Sequence, residues 1–360
     1  MKISVILGTR PEIIKLAPLL KILRGKRADY FTLHTGQHYS YQLDKVFFEQ
    51  LEIPPPEYNI EVGSGSHAEE TGKMLIGIEK ILDAERPDIV LAEGDTNSVL
   101  AASLAAVKLG IKVGHVEAGL RSYDRGMPEE INRVVADHVS DYLFAPTEKA
   151  REILLGEGIA GEKVFLTGNT IVDAVNQNLE LAKSKVDIES KFRLKSQQYF
   201  LATLHRQENT DKLKRFASIL KGLSRVAEKF GMPVVYPAHP RSKKILDGMA
   251  ELPKNINVIE PVDYLSFLQL ESNARLVLTD SGGVQEEACI LRVPCVTLRD
   301  NTERPETVSV GANVLAGAVA ERIADGVATM LTREKNWDNP FGDGHAAEKI
   351  FDIIMEAKDG

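Results

Sequence analysis

The sequence is poor in the residues that build cross-linked or membrane-embedded proteins. Its 360 residues include two cysteines and one tryptophan, and aromatic residues make up 6% of the chain. Cys289 and Cys295 lie in apolar stretches and are too few for a disulfide scaffold, so we predict two reduced core thiols. No stretch approaches the roughly 20 apolar residues of a membrane span. The apolar run in MKISVILGTR is too short for a signal peptide. We therefore expect a soluble, cytoplasmic protein.

An excess of positive charge is also missing. Lysine and arginine total 44 and aspartate and glutamate total 52, which gives a net charge of −8. This balance argues against nucleic acid or a membrane surface as a partner, although it allows a local basic pocket for one phosphorylated small molecule. No GxGxxG or GxxxxGK[ST] motif follows an apolar run, and no nucleophile elbow is present. Nicotinamide, P-loop and acyl-hydrolase chemistry are therefore disfavoured.

Short apolar runs alternate with helical periods along the whole chain, and each run ends at a polar or glycine-containing turn. In the first half the runs are 3–8, 30–35, 88–94, 112–117, 142–146 and 164–168. In the second half they are 199–205, 233–239, 257–261, 275–280 and 294–300. Continuous apolar strands between helices are typical of parallel sheets covered on both faces. The two series predict an α/β protein with two Rossmann-like, doubly wound domains.

The boundary between the two domains is less sharply marked. Residues 169–198 form a helical, charged connector, so we place the first domain at 1–170 and the second at 171–345. The amphipathic segment 346–360 is predicted to be a final helix that could pack back on the first domain.

Polar and charged residues follow the predicted strands at their carboxyl ends, where parallel sheets bind ligands. These segments are Gly8–Glu12, Glu93–Asn97, His115–Arg121, Pro128–Arg133, His205–Asn209, His239–Arg241, Asp280–Gly283 and Asp300–Glu306. Carboxylates, arginines and histidines thus meet at one topological face of each domain. That constellation predicts an active site in the cleft between the domains.

Some of these residues also have a purely structural interpretation. Pro11 and Glu12 could simply start a helix, and Asp95 with Thr96 could form a helix cap. Glu117 is harder to explain in this way, because a carboxylate beside buried apolar residues is costly without a partner. His34 and His38 lie on a strand and turn rather than on one helix face, so we predict no metal site.

The segment LTDSGGVQEEA indicates a nucleotide. Ser281, Gly282 and Gly283 at a strand-to-helix turn can hold a diphosphate on backbone N–H groups. A glutamate one helical turn further on would reach a ribose, since one carboxylate can accept from two hydroxyls. Spacing alone does not decide between Glu286 and Glu287, and we assign Glu287.

Eight segments in this order resemble the non-hydrolysing UDP-N-acetylglucosamine 2-epimerases. They are GTRPEIIKLAP, GDTNSVLAASLAA, VGHVEAGLRS, MPEEINR, TGNTIVDA, TLHRQEN, TDSGGVQEEA and RDNTERPE, and the resemblance runs from about residue 1 to 355. It implies a glycosyltransferase-B arrangement of the two domains, a homodimer and no cofactor. It also implies reversible conversion of UDP-N-acetylglucosamine to UDP-N-acetylmannosamine. UDP would leave by anti elimination to give 2-acetamidoglucal and would then add back.

The resemblance also assigns roles to residues. The acid/base set would be Asp95, Glu117 and Glu129, without settling which of them removes the C2 proton. His205 would stabilise the departing UDP or relay a proton. The diphosphate would be bound by Arg10, Lys15, His239 and Arg304, and by the helix start at Ser281, Gly282 and Gly283.

One segment departs from the family pattern. The loop in LRSYDRGMPEEINR is shorter than in many bacterial relatives, some of which bind a second substrate molecule as an activator. Gln37, His38 and Gln42 could serve such a regulatory site.

Three other functions share parts of this pattern. A hydrolysing epimerase would release free N-acetylmannosamine, and a glycosyltransferase of the same architecture would need an acceptor. A nucleotide-sugar sensor would need the binding residues alone. The acids Asp95, Glu117 and Glu129 favour proton chemistry at C2 over transfer or binding.

Overall fold

A computed structural model of the chain describes residues 1–36, 41–248 and 253–356. Gln37 and His38 lie outside the described residues, and so does the side chain of Gln42. The chain divides into two compact units, which are Met1–Gln177 with Phe341–Gly360, and Asn178–Pro340. No helix in the described ranges is long and apolar enough to cross a membrane.

Strands and helices alternate in the first unit. Its strands are β1 (Lys2–Leu7), β2 (Asp29–His34), β3 (Tyr58–Asn59), β4 (Ile89–Glu93), β5 (Lys112–Val116), β6 (Tyr142–Ala145) and β7 (Val164–Leu166). Its helices are α1 (Arg10–Gly25), α2 (Tyr41–Gln50), α3 (His67–Glu85), α4 (Asn97–Lys108), α5 (Pro128–Val139) and α6 (Glu148–Gly156). Helix α7 (Thr170–Lys185) leads from the first unit into the second.

The second unit repeats the alternation. Its strands are β8 (Phe200–Thr203), β9 (Val234–Pro237), β10 (Ile256–Ile259), β11 (Leu276–Thr279), β12 (Cys295–Thr297) and β13 (Asn313–Leu315). Its helices are α8 (Ile188–Phe192), α9 (Gln207–Thr210), α10 (Leu213–Phe230), α11 (Pro240–Asp247), α12 (Tyr264–Ser272), α13 (Gly282–Ile290), α14 (Pro305–Ser309) and α15 (Ala320–Thr332). The last helix, α16 (Ala346–Glu356), belongs to the first unit and packs against α1.

Each unit has one parallel sheet, with the order β3-β2-β1-β4-β5-β6-β7 in the first and β10-β9-β8-β11-β12-β13 in the second. In both sheets the order reverses beside the first strand of the unit, as in doubly wound folds. The prediction of two such domains is confirmed, and every predicted apolar run contains a strand. Strands β3 and β13 were not predicted.

The strands at the centre of each sheet are buried on both faces. Every residue of β4 and of β11 is buried, because helices cover both sides of the sheets. In the first unit, Met74, Ile78 and Leu82 of α3 pack in the core with Val90 of β4. This packing explains why the strands are continuous apolar runs rather than alternating ones.

The single tryptophan lies in the second unit. Trp337 is 6% exposed, and its indole N–H donates to the carbonyl of Cys289 at 3.0 Å. Cys289 and Cys295 are buried thiols, as predicted. Burial raises the pKa of Cys289 to about 12, so its thiol stays protonated near neutral pH.

A close approach of three segments fixes the end of β1. The hydroxyls of Thr35 and Ser98 are hydrogen-bonded at 2.7 Å. A Cβ at Gly8 would lie 2.0 Å from Thr35 Oγ1 and 2.2 Å from Ser98 Oγ. Only glycine fits there, so the turn that leads into α1 sits directly on α4.

We predict that Gly8→Ala destabilises the protein by about 2 kcal/mol or more, because the methyl group must break this hydrogen-bonded contact. The control is Gly72→Ala in α3, where a Cβ would meet no atom within 4 Å. This second change should stabilise by about 0.5–1 kcal/mol through helix propensity. Thermal melting followed by circular dichroism measures both. Equal midpoints for Gly8→Ala and the wild type would contradict the prediction.

Candidate active site

The predicted site residues lie at the carboxyl edges of the two sheets. Those of the first unit, the first half-site, are Arg10, Lys15, Asp95, Glu117 and Glu129. Those of the second unit, the second half-site, are His205, His239, Ser281, Gly282, Gly283, Glu287 and Arg304.

The start of α1 is occupied by a carboxylate of the chain itself. Glu12 accepts from the backbone N–H groups of Gly8 and Thr9, at 2.6 Å each, and from the Thr96 hydroxyl. Burial raises the pKa of Glu12, and these hydrogen bonds oppose the rise. The structural interpretation of Pro11 and Glu12 as a helix start is therefore confirmed, with Pro11 in the first turn.

Lys15, one turn into α1, lies between two buried carboxylates. Its ammonium is 3.0 Å from Glu93 Oε1 at the end of β4, and it forms an ion pair with Glu117 after β5. Burial raises the pKa of Glu93 well above its usual range, while Lys15 opposes the rise and the charge of Glu117 adds to it. One ammonium thus serves two acids. The role of Lys15 at the diphosphate stays a prediction.

The backbone of Glu117 is strained. Its φ is +67°, in the left-handed region that side chains rarely adopt, and the side-chain amide of Asn169 donates to Glu117 Oε2 at 2.8 Å. Gly119 follows with φ +87°, and a Cβ there would lie 2.5 Å from the carbonyl oxygen of Ala150. Such strain persists only where the surroundings enforce it, and it is concentrated at functional sites.

A buried ionic network enforces this turn. His115 Nδ1 is 2.6 Å from Asp137 Oδ1, and its Nε2 is 2.7 Å from the carbonyl oxygen of Gly94. Both acceptors need a proton on the ring, so the imidazole is doubly protonated. Asp137 also accepts from the N–H of Gly119 at 3.2 Å and from Arg121 at 2.6 Å. The network therefore ties the turn around Glu117 to the residue preceding Asp95.

Asp95 is not the cap of α4. The Thr96 hydroxyl accepts from the N–H groups of Ser98 and Val99 and is the N-cap. Asp95 instead forms an ion pair with Arg133 of α5, and its side chain is 34% exposed. The Asp95 carboxylate is thus held by a cation and remains accessible to a ligand.

The adjacent glutamates at the start of α5 differ in their surroundings. Glu130 is buried and accepts from the N–H groups of Ser122 at 2.8 Å and Tyr123 at 2.9 Å, and from Arg133 at 3.2 Å. Glu129 is exposed. Glu130 therefore fixes the short loop, and Glu129 presents its carboxylate at the surface.

Arg10 also lies at this edge of the first sheet. Its side chain is exposed, and the guanidinium lies 5.1 Å from the ring centroid of Phe47. This stacking positions a cation at the start of α1.

Asp280 organises the second half-site from the end of β11. Its buried carboxylate accepts from the backbone N–H groups of His205 and Arg206, both at 3.1 Å, and from the side chain of Asn209 at 3.0 Å. Burial alone raises the pKa of Asp280, but the His205 side chain, together with Asn209 and the His205 backbone, holds it below its usual range. His205 Nδ1 lies 3.1 Å from the same carboxylate, while 46% of the His205 side chain is exposed. The Asp280 carboxylate thus orients the imidazole, and the imidazole remains accessible to a ligand.

The start of α13 leaves room for a ligand. Ser281 is the N-cap, and its hydroxyl accepts from the N–H of Val284. Neither Gly282 nor Gly283 has a positive φ, and a Cβ on either would meet its nearest atom at 3.7 Å or more. Packing and backbone conformation therefore do not demand glycine here. Close approach of a ligand to the helix N-terminus is a physical reason for both glycines.

The two glutamates of α13 have different partners. Glu286 is buried and its Oε1 lies 2.6 Å from Arg304 Nε. Glu287 is buried and accepts from the Tyr264 hydroxyl at 3.0 Å. The neighbouring Glu271 is fully buried, and burial together with the charge of Glu287 raises its pKa well above the usual range.

Further cations gather around Glu303. Arg206 lies 3.3 Å and Arg299 3.5 Å from its two carboxylate oxygens. Burial raises the pKa of Glu303, but Arg206, Arg299 and Arg304 bring it below its usual range. His239, after β9, is exposed. At this edge three arginines thus act on one carboxylate, that of Glu303.

Several residues at these edges had no assigned role, namely Glu93, Arg133, Asp137, Asn169, Arg206, Tyr264 and Glu271. Arg133, Asn169 and Arg206 lie inside the segments MPEEINR, TGNTIVDA and TLHRQEN, and Glu93 directly precedes GDTNS. Their position in or beside these segments was the sequence signal that could have identified them. In the described part of the chain, no group of three or more His, Cys, Asp or Glu side chains could hold a metal ion.

The chain is similar to known epimerases over almost its whole length. A family model described as UDP-N-acetylglucosamine 2-epimerase matches residues 21–355. The UDP-N-acetylglucosamine 2-epimerase of Methanocaldococcus jannaschii is 54% identical over 365 residues, covering 99% of this chain and 100% of that protein. A UDP-2,3-diacetamido-2,3-dideoxy-D-glucuronate 2-epimerase of Pseudomonas aeruginosa is 41% identical, covering 99% and 100%.

Solved structures agree with this similarity. The M. jannaschii UDP-GlcNAc 2-epimerase in complex with UDP-GlcNAc and UDP has a TM-score of 0.89 at 54% identity, covering 99% of this chain and 100% of that one. The UDP-GlcNAc 2-epimerase from Neisseria meningitidis bound to UDP-GlcNAc has a TM-score of 0.90 at 34% identity, with the same coverage.

We predict that His115 makes stability depend on pH. Burial favours the neutral ring, but Asp137 and the Gly94 carbonyl outweigh it and raise the pKa of His115 above the usual value of about 6.5. The contribution of His115 is then full below about pH 6.5 and is lost as the pH rises through the folded-state pKa.

Urea unfolding of the wild type and of His115→Gln at a series of pH values tests this prediction. The stability difference should be largest at pH 6 and shrink as the pH rises. His138→Gln, which alters an exposed histidine on α5, is the control and should show no such trend. A difference that grows with pH would contradict the prediction.

Proposed function

Since the chain belongs to the UDP-N-acetylglucosamine 2-epimerase family, we propose that it interconverts UDP-N-acetylglucosamine and UDP-N-acetylmannosamine. The observation that carries the proposal is the strained Glu117, paired with Lys15 and Asn169 at the end of a parallel strand. A site built only to bind an anionic nucleotide has no need of such an acid.

Inversion at C2 requires a base on one face of the sugar and an acid on the other. Removal of the C2 proton places its electron pair in a new C1=C2 bond, and the C1–O bond to UDP breaks. The products are 2-acetamidoglucal and UDP. Re-addition of UDP with delivery of a proton to the opposite face of C2 gives the epimer. The reaction involves no net redox change, so the proposal includes no redox cofactor.

We assign the proton transfers to Asp95, Glu117 and Glu129. Asp95 is accessible and paired with Arg133, Glu117 is buried beside Lys15, and Glu129 is exposed. The three carboxylates thus differ in their charged partners and in their exposure to water. Which of the three removes the C2 proton stays open.

We assign UDP to the second half-site. The diphosphate would lie at the α13 N-terminus on Ser281, Gly282 and Gly283, with Arg304 nearby on the side of Glu286. His205, oriented by Asp280, would stabilise the negative charge on the departing diphosphate or relay a proton.

Other assignments complete the proposal. Arg10, Lys15 and His239 are assigned to the diphosphate, and Glu287 to the two ribose hydroxyls. Homodimer formation and a cytoplasmic location stay predictions.

The proposed reaction predicts a distinctive isotope pattern. Incubation of the protein with UDP-N-acetylglucosamine in D₂O, without added metal or nicotinamide, should yield UDP-N-acetylmannosamine with deuterium at C2 of both sugars. Only traces of free UDP should appear, because UDP adds back. Proton and phosphorus NMR measure both. Stoichiometric UDP with free N-acetylmannosamine would identify a hydrolysing enzyme. Tight UDP binding without turnover or exchange would leave a transferase or a sensor.

The ribose assignment predicts a ligand-dependent effect of Glu287→Gln. A charge-assisted hydrogen bond contributes about 1.5–3 kcal/mol, so the variant should bind UDP about tenfold or more weakly. With 2′,3′-dideoxy-UDP, wild type and variant should bind alike. Glu286→Gln is the control and should not distinguish the two ligands, because Glu286 pairs with Arg304. Calorimetry that gives the same loss for both ligands in Glu287→Gln would refute the ribose contact.

A further inference from the structure

Glu93 has no part in the chemistry assigned above, although it directly contacts the Lys15 ammonium. We propose that Glu93 is a positioning residue for proton transfer at C2, because it shares Lys15 with Glu117 and so sets the orientation and charge of the Glu117 carboxylate. This inference rests on the proposed function, since it gives Glu93 a part in that reaction.

Glu93 and Glu117 contact the same ammonium. Glu93 is the last residue of β4, and Glu117 follows the end of the neighbouring strand β5. The Lys15 ammonium reaches both from α1, at 3.0 Å from Glu93 Oε1 and in an ion pair with Glu117 Oε2. A lysine side chain has four rotatable bonds and makes contacts of low directionality. Two carboxylates on adjacent strands restrict it to one position, which a single carboxylate would not do.

The position of Lys15 is transmitted to Glu117. Lys15 and the Asn169 amide both donate to Glu117 Oε2, with the amide at 2.8 Å. Two donors on one oxygen fix the plane of the carboxylate. If Lys15 shifted, Glu117 would lose a group that orients it. Catalytic carboxylates must be held within a fraction of an ångström of the productive geometry.

The charges of Lys15, Glu93 and Glu117 must also be compensated. The side chains of Lys15, Glu93 and Glu117 are 12%, 2% and 6% exposed. With both acids ionised, this set would carry one surplus negative charge away from water, which is costly. A proton on Glu93, the most buried of the three, leaves a neutral Lys15–Glu117 pair. Glu117 is then a carboxylate that can accept a proton.

The charged groups that face Glu93 also favour a proton on Glu93 rather than on Glu117. From α1 they are Lys15 and Glu12, and from the turn after β5 the facing group is Glu117. Burial and the two acids favour the protonated form of Glu93, and Lys15 alone opposes it. The raised pKa of Glu93 follows from this balance. Once ionised, Glu93 would compete with Glu117 for the ammonium.

Two substitutions distinguish the effect of the Glu93–Lys15 contact from the effect of the ionisable carboxyl group of Glu93. Glu93→Gln keeps an oxygen for Lys15 but cannot titrate, whereas Glu93→Leu removes the contact. We expect Glu93→Leu to lower kcat about tenfold to a hundredfold, because Glu117 loses its fixed orientation for the chemical step. Glu93→Gln should retain at least about ten times the kcat of Glu93→Leu. It should also change the kcat–pH profile, because Glu93 no longer titrates beside Glu117.

Glu85 supplies the control. It forms an ion pair with Lys2, at the opposite end of the same sheet. Glu85→Gln and Glu85→Leu should keep the wild-type kcat and pH profile.

The outcomes decide between the two proposals. Absence of epimerisation by the wild type would refute the proposed function. With an active wild type, an unchanged kcat in Glu93→Leu would overturn the positioning role. If Glu93→Leu loses UDP affinity or its cooperative thermal transition, Glu93→Gln decides instead. A kcat–pH profile of Glu93→Gln identical to that of the wild type would overturn the inference.

Discussion

Buried carboxylates at the carboxyl edges of the two sheets are held by donors from neighbouring loops, because an unpaired charge withdrawn from water costs several kcal/mol. Glu12 holds the start of α1, Asp137 holds the turn around Glu117, and Asp280 holds the turn after β8. The loops that carry the candidate residues are therefore organised by acids that a substrate does not need to touch. Because these buried carboxylates must be compensated by donors, they fix the backbone of the loops that carry the accessible residues.

The two units apply this principle to different charges. In the first, one lysine contacts both Glu93 and Glu117, and Arg133 pairs with Asp95. In the second, three arginines surround Glu303, and Ser281 caps the N-terminus of α13. Paired acids in one unit and clustered arginines in the other match a reaction in which one end of the substrate exchanges a proton and the other leaves as a diphosphate.

Much of the fold could be predicted from the sequence, because buried parallel strands are continuous apolar runs and helices separate them. Strand β3 has two residues, too few to show a period, and the three-residue strand β13 begins with the polar Asn313. The placement of the candidate residues at the carboxyl edges of the sheets followed from the strand ends. The pairings did not, because Lys15 and Glu117 are 102 residues apart and spacing carries no information on such contacts. The strained φ of Glu117 was equally hidden, since the left-handed region is usually signalled by glycine.

Trp337 gives the protein an optical reporter confined to one of its two units. It is the only tryptophan of the chain, it is buried, and its ring is fixed by the carbonyl of Cys289. Its emission therefore follows the second unit alone, whereas far-ultraviolet circular dichroism follows helices and strands of both. When both signals are followed during unfolding, their comparison gives the stability of each unit. The second unit is the one to which we assign UDP, and the first is the one to which we assign the acids. No label or engineered tryptophan is required.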